Sequence, residues 1–154
     1  MDAERARLRT VADYQFGAGA GDALFHADAD PEVTHTSSGR PNQVRAPDGR
    51  LVTLGVDGRY TLGLAGGERL HRALPAPALR VAVGDDSEPF VREGRNAFAK
   101  FVRSVDPEIR PGDEVLVVHE DGDLLAVGRA ELPARGMREF DTGMAVKVRE
   151  GTDD

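Results

Sequence analysis

The chain has 154 residues, is 40% hydrophobic and carries a formal net charge of −7. That length holds one ordinary domain or two small ones, and the apolar content supports a packed core and excludes wholesale disorder. It has no cysteine, which excludes disulfides, thiolate metal sites and a cysteine nucleophile.

No stretch approaches the roughly 18 uninterrupted apolar residues of a membrane span. The opening "MDAERARLRT" is charged and lacks the apolar centre of a secretory signal. A soluble cytoplasmic protein with no membrane partner is expected. Lysine occurs only at Lys100 and Lys147, and the other basic residues are arginines. Abundant acids with scarce lysine suit a salt-rich, halophilic cytosol, where an acidic surface maintains solubility. Net charge then says little about one local patch. In high salt a nucleic-acid binder must rely more on shape and hydrogen bonds, because counterion release contributes less.

In chain order, Ala3–Phe16 has apolar residues at helical spacing, and Gly17 stops the helix. A helical turn, "GDALF", follows. "EVTHT", "QVRA", "RLVTLGV" and "RYTLGL" read as extended segments, broken at "SSGRPN", "PDG" and "DG". "GERLHRALP" is a helix closed by Pro75. Residues 1–75 therefore form a small antiparallel sheet flanked by helices. The joint "LPAPA" is the boundary, and a second domain spans 78–150, with 151–154 as a tail.

In the second domain "LRVAV" is a strand and "DSEPFVREG" a short helix, capped by Asp86 or Ser87 and ended by Gly94. "AFAKFV" reads as extended. A hairpin turns at Asp121–Gly122, "PARGMREF" is a helical turn, and "GMAVKVRE" closes the chain as a strand. Short strands with few helices indicate a compact β barrel, so the fold class is α+β.

The run "VADYQFGAGAGDALF" resembles a phosphate cradle at first sight. A dinucleotide fingerprint needs a preceding strand and a third glycine at position 22, where this chain has Asp22. A Walker loop needs Lys followed by Ser or Thr, and neither is present. The run is a helix stop and a bend. His26, Asp28, Asp30 and His35 match no helical metal-binding pair and read as a solvated loop. "EDGD" at 120–123 resembles a calcium-loop fragment, but position twelve from Asp121 is Leu132 rather than a bidentate Glu. No serine elbow is present, and no catalytic constellation, cofactor site or metal site is expected.

"VREGRNAFAKFV", Val91–Val102, is different. A helix ends at Gly94 and an extended run follows, carrying Arg92, Arg95, Asn96 and Lys100 among Phe90, Phe98 and Phe101. Strand alternation would place Phe98 with Lys100 on one face and Ala99 with Phe101 on the other. Cations beside exposed aromatics, next to a glycine, suit a nucleic-acid backbone and an unpaired base. The alternative is core phenylalanines with ordinary surface arginines, and physics alone favours it.

Residues 79–149 resemble a PUA domain, an RNA-binding module, through "FVREGRNAFAKFV", "DPEIRPGDEVLVVHEDGDLLAVGRAEL" and "FDTGMAVKVREG". "ADYQFGAGAGDALF", the hairpins after it and "GERLHRALP" resemble the domain that precedes PUA in archaeal tRNA-guanine (archaeosine) transglycosylases. The resemblance covers nearly the whole chain. It departs from the enzyme in having no room for the catalytic barrel and no cysteine for that family's zinc site. It implies an accessory pre-PUA domain and a PUA pseudobarrel holding structured RNA, above all tRNA, in an RNA-modification context. Carried onto this sequence, the RNA-binding residues are Arg92, Gly94, Arg95, Asn96, Phe98, Ala99 and Lys100, with Lys147 and Arg149 from the closing strand. The resemblance thus favours the RNA reading of the corner. Two rivals stand beside non-catalytic RNA binding. One is an adaptor that completes a transglycosylase-like enzyme through protein contacts; the other is a small enzyme using the carboxylates.

Overall fold

A computed structural model describes residues 3–26, 28 and 30–153. The chain divides into two compact units, Met1–Leu74 and Pro75–Asp154.

In the first unit, α1 (Ala3–Phe16) buries Leu8, Ala12 and Phe16 on one stripe, as the sequence spacing predicts. It is followed by α2 (Ala20–Leu24), then β1 (Glu32–His35), β2 (Pro41–Ala46), β3 (Gly49–Leu54), β4 (Tyr60–Leu62) and α3 (Leu64–Ala73). The strands form an antiparallel sheet in the order β1-β2-β3-β4. α3 begins at Leu64, three residues before the segment that the sequence marks as helical, because "GLAGG" can approach a strand closely. A Cβ on Gly63 or Gly66 would strike the carbonyls of Arg50 or Leu51 on β3.

Tyr60 is the centre of this unit. Its ring stacks near Phe16 and meets Phe25 edge-on, and its hydroxyl donates to the Leu8 carbonyl at 2.9 Å. Burial pushes the phenol pKa up. The glycine run shapes the path of the chain. Gly17 and Gly19 take left-handed conformations that reverse the chain, and Gly21 lies so close to α1 that a Cβ would collide with the Arg9 carbonyl. The Gly21 N–H donates to the Asp13 carboxylate at 2.7 Å, the position an incoming phosphate would need.

The second unit is a nearly closed sheet in the order β6-β10-β9-β8-β5-β7 among the described residues. Its strands are β5 (Arg80–Val83), β6 (Ala97–Phe98), β7 (Val102–Val105), β8 (Glu114–His119), β9 (Leu124–Ala130) and β10 (Met144–Gly151). The helices are α4 (Glu88–Arg92) and α5 (Ala134–Glu139). All pairings are antiparallel except β5 with β8. Val81, Val83, Val115, Val117, Leu125, Met137, Val146 and Val148 belong to the core.

Two sequence expectations need correction. "AFAKFV" is not one extended run: β6 ends at Phe98, and Ala99–Phe101 is a 3-10 turn. Alternation therefore breaks, and β7, which the sequence does not signal, starts at Val102 and pairs with β5. Residues 151–153 are not an appended tail. Gly151 ends β10, the Thr152 N–H donates to the Leu125 carbonyl, and the Asp153 N–H donates to the Arg92 carbonyl.

Candidate nucleic-acid interface

The corner after α4 is built by a backbone device. The Arg95 N–H donates to the Phe90 carbonyl and the Gly94 N–H to the Val91 carbonyl, the paired bonds of a Schellman ending. This requires a positive φ at the turning residue, and Gly94 supplies it at +98°. The side chains flanking the turn meet as well: the Arg95 guanidinium lies 5.6 Å from the centre of the Phe90 ring, a cation–π contact. Arg95 stays 70% exposed, with Glu93 no nearer than 3.9 Å.

Asn96 then joins the corner to β10. Its side-chain oxygen accepts the Val148 N–H at 2.9 Å, taking the place of a ladder bond where β6 has not yet begun. Ala97 and Phe98 pair with Val146 and Met144, and the Ala99 N–H donates to the Gly143 carbonyl. Lys147 lies between Val146 and Val148, so its backbone runs directly beside Asn96 and Ala97.

The predicted residues separate into two groups. Arg92 is engaged inside the unit: Nε and Nη2 donate to Glu88 at 3.1 and 2.8 Å, and Nη1 donates to Thr152 at 2.9 Å. Arg149 forms a two-pronged pair with the buried Glu114, at 2.7 and 2.9 Å. Asn96 serves the ladder, and Ala99 is buried. Arg95, Phe98, Lys100 and Lys147 face solvent. Lys100 does not sit with Phe98, as alternation would require. The 3-10 turn swings its ammonium to 5.1 Å from the centre of the Phe101 ring.

Charge favours an anion here despite the overall balance. Between residues 88 and 100 Arg92, Arg95 and Lys100 outnumber Glu88 and Glu93. On the neighbouring face β9 sets Arg129 opposite Lys147 on one side and Glu114 on the other. Arg129 pairs with Glu131 at 2.9 Å and Arg149 with Glu114. Lys147 adds a cation to that row.

The ties of Arg92 to Thr152 and of Asn96 to Val148 are not signalled by sequence, because each spans more than fifty positions. The four residues weighed as a metal cluster do not converge. His26 lies 3.6 Å from Asp28, and His35 contacts Glu4 at 2.9 Å.

Comparison with known proteins agrees with this architecture. Residues 79–152 match the model of the PUA domain, and residues 6–77 match the patch-forming domain C2 of tRNA-guanine transglycosylase. The chain therefore carries a C2-type module followed by a PUA-type module. It resembles the archaeal tRNA-guanine(15) transglycosylases. It is 48% identical to that of Pyrococcus furiosus over 148 residues, covering 96% of this chain and 25% of the relative. It is 47% identical to that of Thermococcus kodakarensis over 97% of this chain and again 25% of the relative. The chain thus spans about a quarter of the length of these curated relatives. The fold is shared with a conserved PUA-domain protein from Thermoplasma acidophilum, with a TM-score of 0.66 at 21% identity, covering 100% of this chain and 93% of that one. It is also shared with a PUA domain from Aeropyrum pernix, at 0.67 and 17%, covering 100% and 85%. Among the described residues no helix is long and apolar enough to cross a membrane.

Proposed function

We propose that this chain binds structured RNA, tRNA in particular, in the cytoplasm and catalyses no reaction on it. The PUA unit makes the contacts and the first unit is its accessory. The observation that carries this reading is the division of labour at the corner. Arg92 and Arg149 are engaged with side chains inside the unit and Asn96 with the Val148 N–H, while Arg95, Phe98, Lys100 and Lys147 are exposed to solvent. Cations on a rigid frame hold phosphates, and an exposed ring accepts an unpaired base by stacking. The main chain at Gly94 allows close approach. The acid-rich, lysine-poor composition suits a salt-rich cytosol, so binding is to be measured at high as well as moderate salt. The test is a tRNA mobility-shift titration of the wild type against Arg95→Ala/Lys100→Ala. A several-fold loss supports the assignment, and equal binding by the two proteins defeats it.

A second reading has its own observation. Tyr14 on α1 is 94% exposed and Val56 is 95% exposed, both in the unit that matches the C2 model. In this reading the chain is an accessory subunit that completes a transglycosylase-like enzyme through protein contacts. It predicts a stable complex on co-purification, lost in Tyr14→Ser, with weak RNA binding by the chain alone.

A further inference from the structure

Away from the exposed corner, at the other end of α4, three metal-ligating side chains converge from two stretches of chain. They are Asp85 from the turn after β5, Glu88 from α4 and His119 from the end of β8, and their ligand atoms all lie within 4.8 Å of one another. We propose that His119 Nε2, Asp85 and Glu88 form a binding site for a divalent transition-metal ion of the zinc type. Neither the sequence patterns above nor the similarity to tRNA-guanine transglycosylases calls for this site, and it stands whether or not the corner binds RNA.

The distances fit. A four-coordinate ion with bonds of about 2.0–2.2 Å to nitrogen and oxygen sets its ligand atoms about 3.4 Å apart. His119 Nε2 lies 2.6 Å from Asp85 Oδ1 and 4.0 Å from Glu88 Oε1. The first separation must open by about 0.8 Å and the second close by about 0.6 Å. Asp85 can make that adjustment, because its side chain is 91% exposed. Glu88 is already aimed: Arg92 holds its Oε2 at 2.8 Å and leaves Oε1 as the atom nearest the imidazole.

The far side of the imidazole is also suited to a bound ion. A metal on Nε2 requires the ring proton on Nδ1, with an acceptor beside it. Asp121 Oδ1 lies 3.0 Å from Nδ1. Without an ion, Nδ1 accepts the Asp121 backbone N–H at 3.0 Å, so the proton of the neutral ring sits on Nε2 and is donated to Asp85. On binding, that proton moves to Nδ1 and is donated to the Asp121 carboxylate. The Asp121 N–H, on an exposed turn, turns to water. Imidazole with two carboxylates selects zinc, cobalt or nickel over magnesium or calcium, which prefer oxygen ligands throughout. Three protein ligands on an open surface leave a fourth position for water.

The experiment is a cobalt(II) titration of the full chain, freed of any histidine tag and stripped with chelator. It is followed by visible absorption and by the NMR signals of the four histidines. One saturable equivalent that shifts the His119 ring is expected. Binding should weaken at least tenfold in Asp85→Asn, where folding is not at risk, and vanish in His119→Gln. Circular dichroism verifies the fold of each variant, and His26→Ala and His35→Ala should bind as the wild type does. The absence of a saturable equivalent, or binding that survives Asp85→Asn and His119→Gln, overturns the proposal.

Discussion

Arg149 lies on Glu114 with both terminal nitrogens, at 2.7 and 2.9 Å, and Glu114 is only 4% exposed. The pair crosses from β10 to β8 over the intervening β9. Breaking a buried pair by removing one partner takes the two-pronged hydrogen bond from the buried carboxylate, at a cost of about 3 kcal/mol. Arg149→Ala should therefore lower unfolding stability by roughly that amount in urea titration. Any loss of RNA affinity in this variant should follow the unfolded fraction. A fully stable Arg149→Ala protein would show that the pair is not structural.

Gln15 performs the work of a neighbouring strand for β4. Its side-chain N–H donates to the Tyr60 carbonyl at 2.9 Å, and its oxygen accepts the Tyr60 N–H at 2.7 Å. Gln15→Ala should destabilise the first unit by about 1–3 kcal/mol through the orphaned buried backbone groups. Gln15→Glu keeps the acceptor but loses the donor, and should fall between the two. Tyr14→Ala, one position earlier and fully solvated, should leave unfolding unchanged. Thermal melts followed by tyrosine signals distinguish the three.

At Gly94 the turn depends on a positive φ. Gly94→Ala should cost about 1–2 kcal/mol, because L side chains are disfavoured in that region. The damage should be local. Amide exchange should quicken at Gly94 and Arg95, whose N–H groups make the two closing bonds, before it quickens in β8 or β9.

Asp48 and Arg69 tie the β2–β3 turn to α3 with two contacts of 2.9 and 3.1 Å. The Arg69 hydrogen bond is the first cause holding the Asp48 carboxyl below its ordinary pKa. A depressed folded-state pKa stabilises the fold above the ordinary carboxylate range, and that contribution is lost as pH falls through the folded value. Half-exposed pairs are worth no more than about 1 kcal/mol. Asp48→Asn should thus be slightly less stable than the wild type at neutral pH, with the gap closing in acid. A gap that persists unchanged in acid contradicts the assignment.

The sequence is legible where local chemistry decides. Periodicity gives α1, the Asp121–Gly122 turn gives the β8–β9 hairpin, and Gly94 gives the end of α4. It is not legible where distant partners decide. Nothing local in Ala99–Phe101 announces a 3-10 turn, which starts where the Ala99 N–H makes the last in-register bond beyond β6, to the Gly143 carbonyl. The same limit applies to the cations. Arg92, Arg95 and Arg149 look alike in the sequence, but partners at Glu88, Thr152 and Glu114 make two of them structural. His119 carries no motif because Asp85 and Glu88 come from a distant stretch of chain.

The corner reading is tested most directly by the salt dependence of tRNA affinity, compared between the wild type and Lys100→Ala/Lys147→Ala. Both lysines are exposed, so the variant should unfold within about 0.5 kcal/mol of the wild type. Each lost phosphate contact should lower the slope of log affinity against log salt by about 0.7–0.9. The account predicts a slope shallower by roughly 1.5 together with weaker binding at every salt concentration. Parallel lines of equal affinity from two equally folded proteins would contradict it.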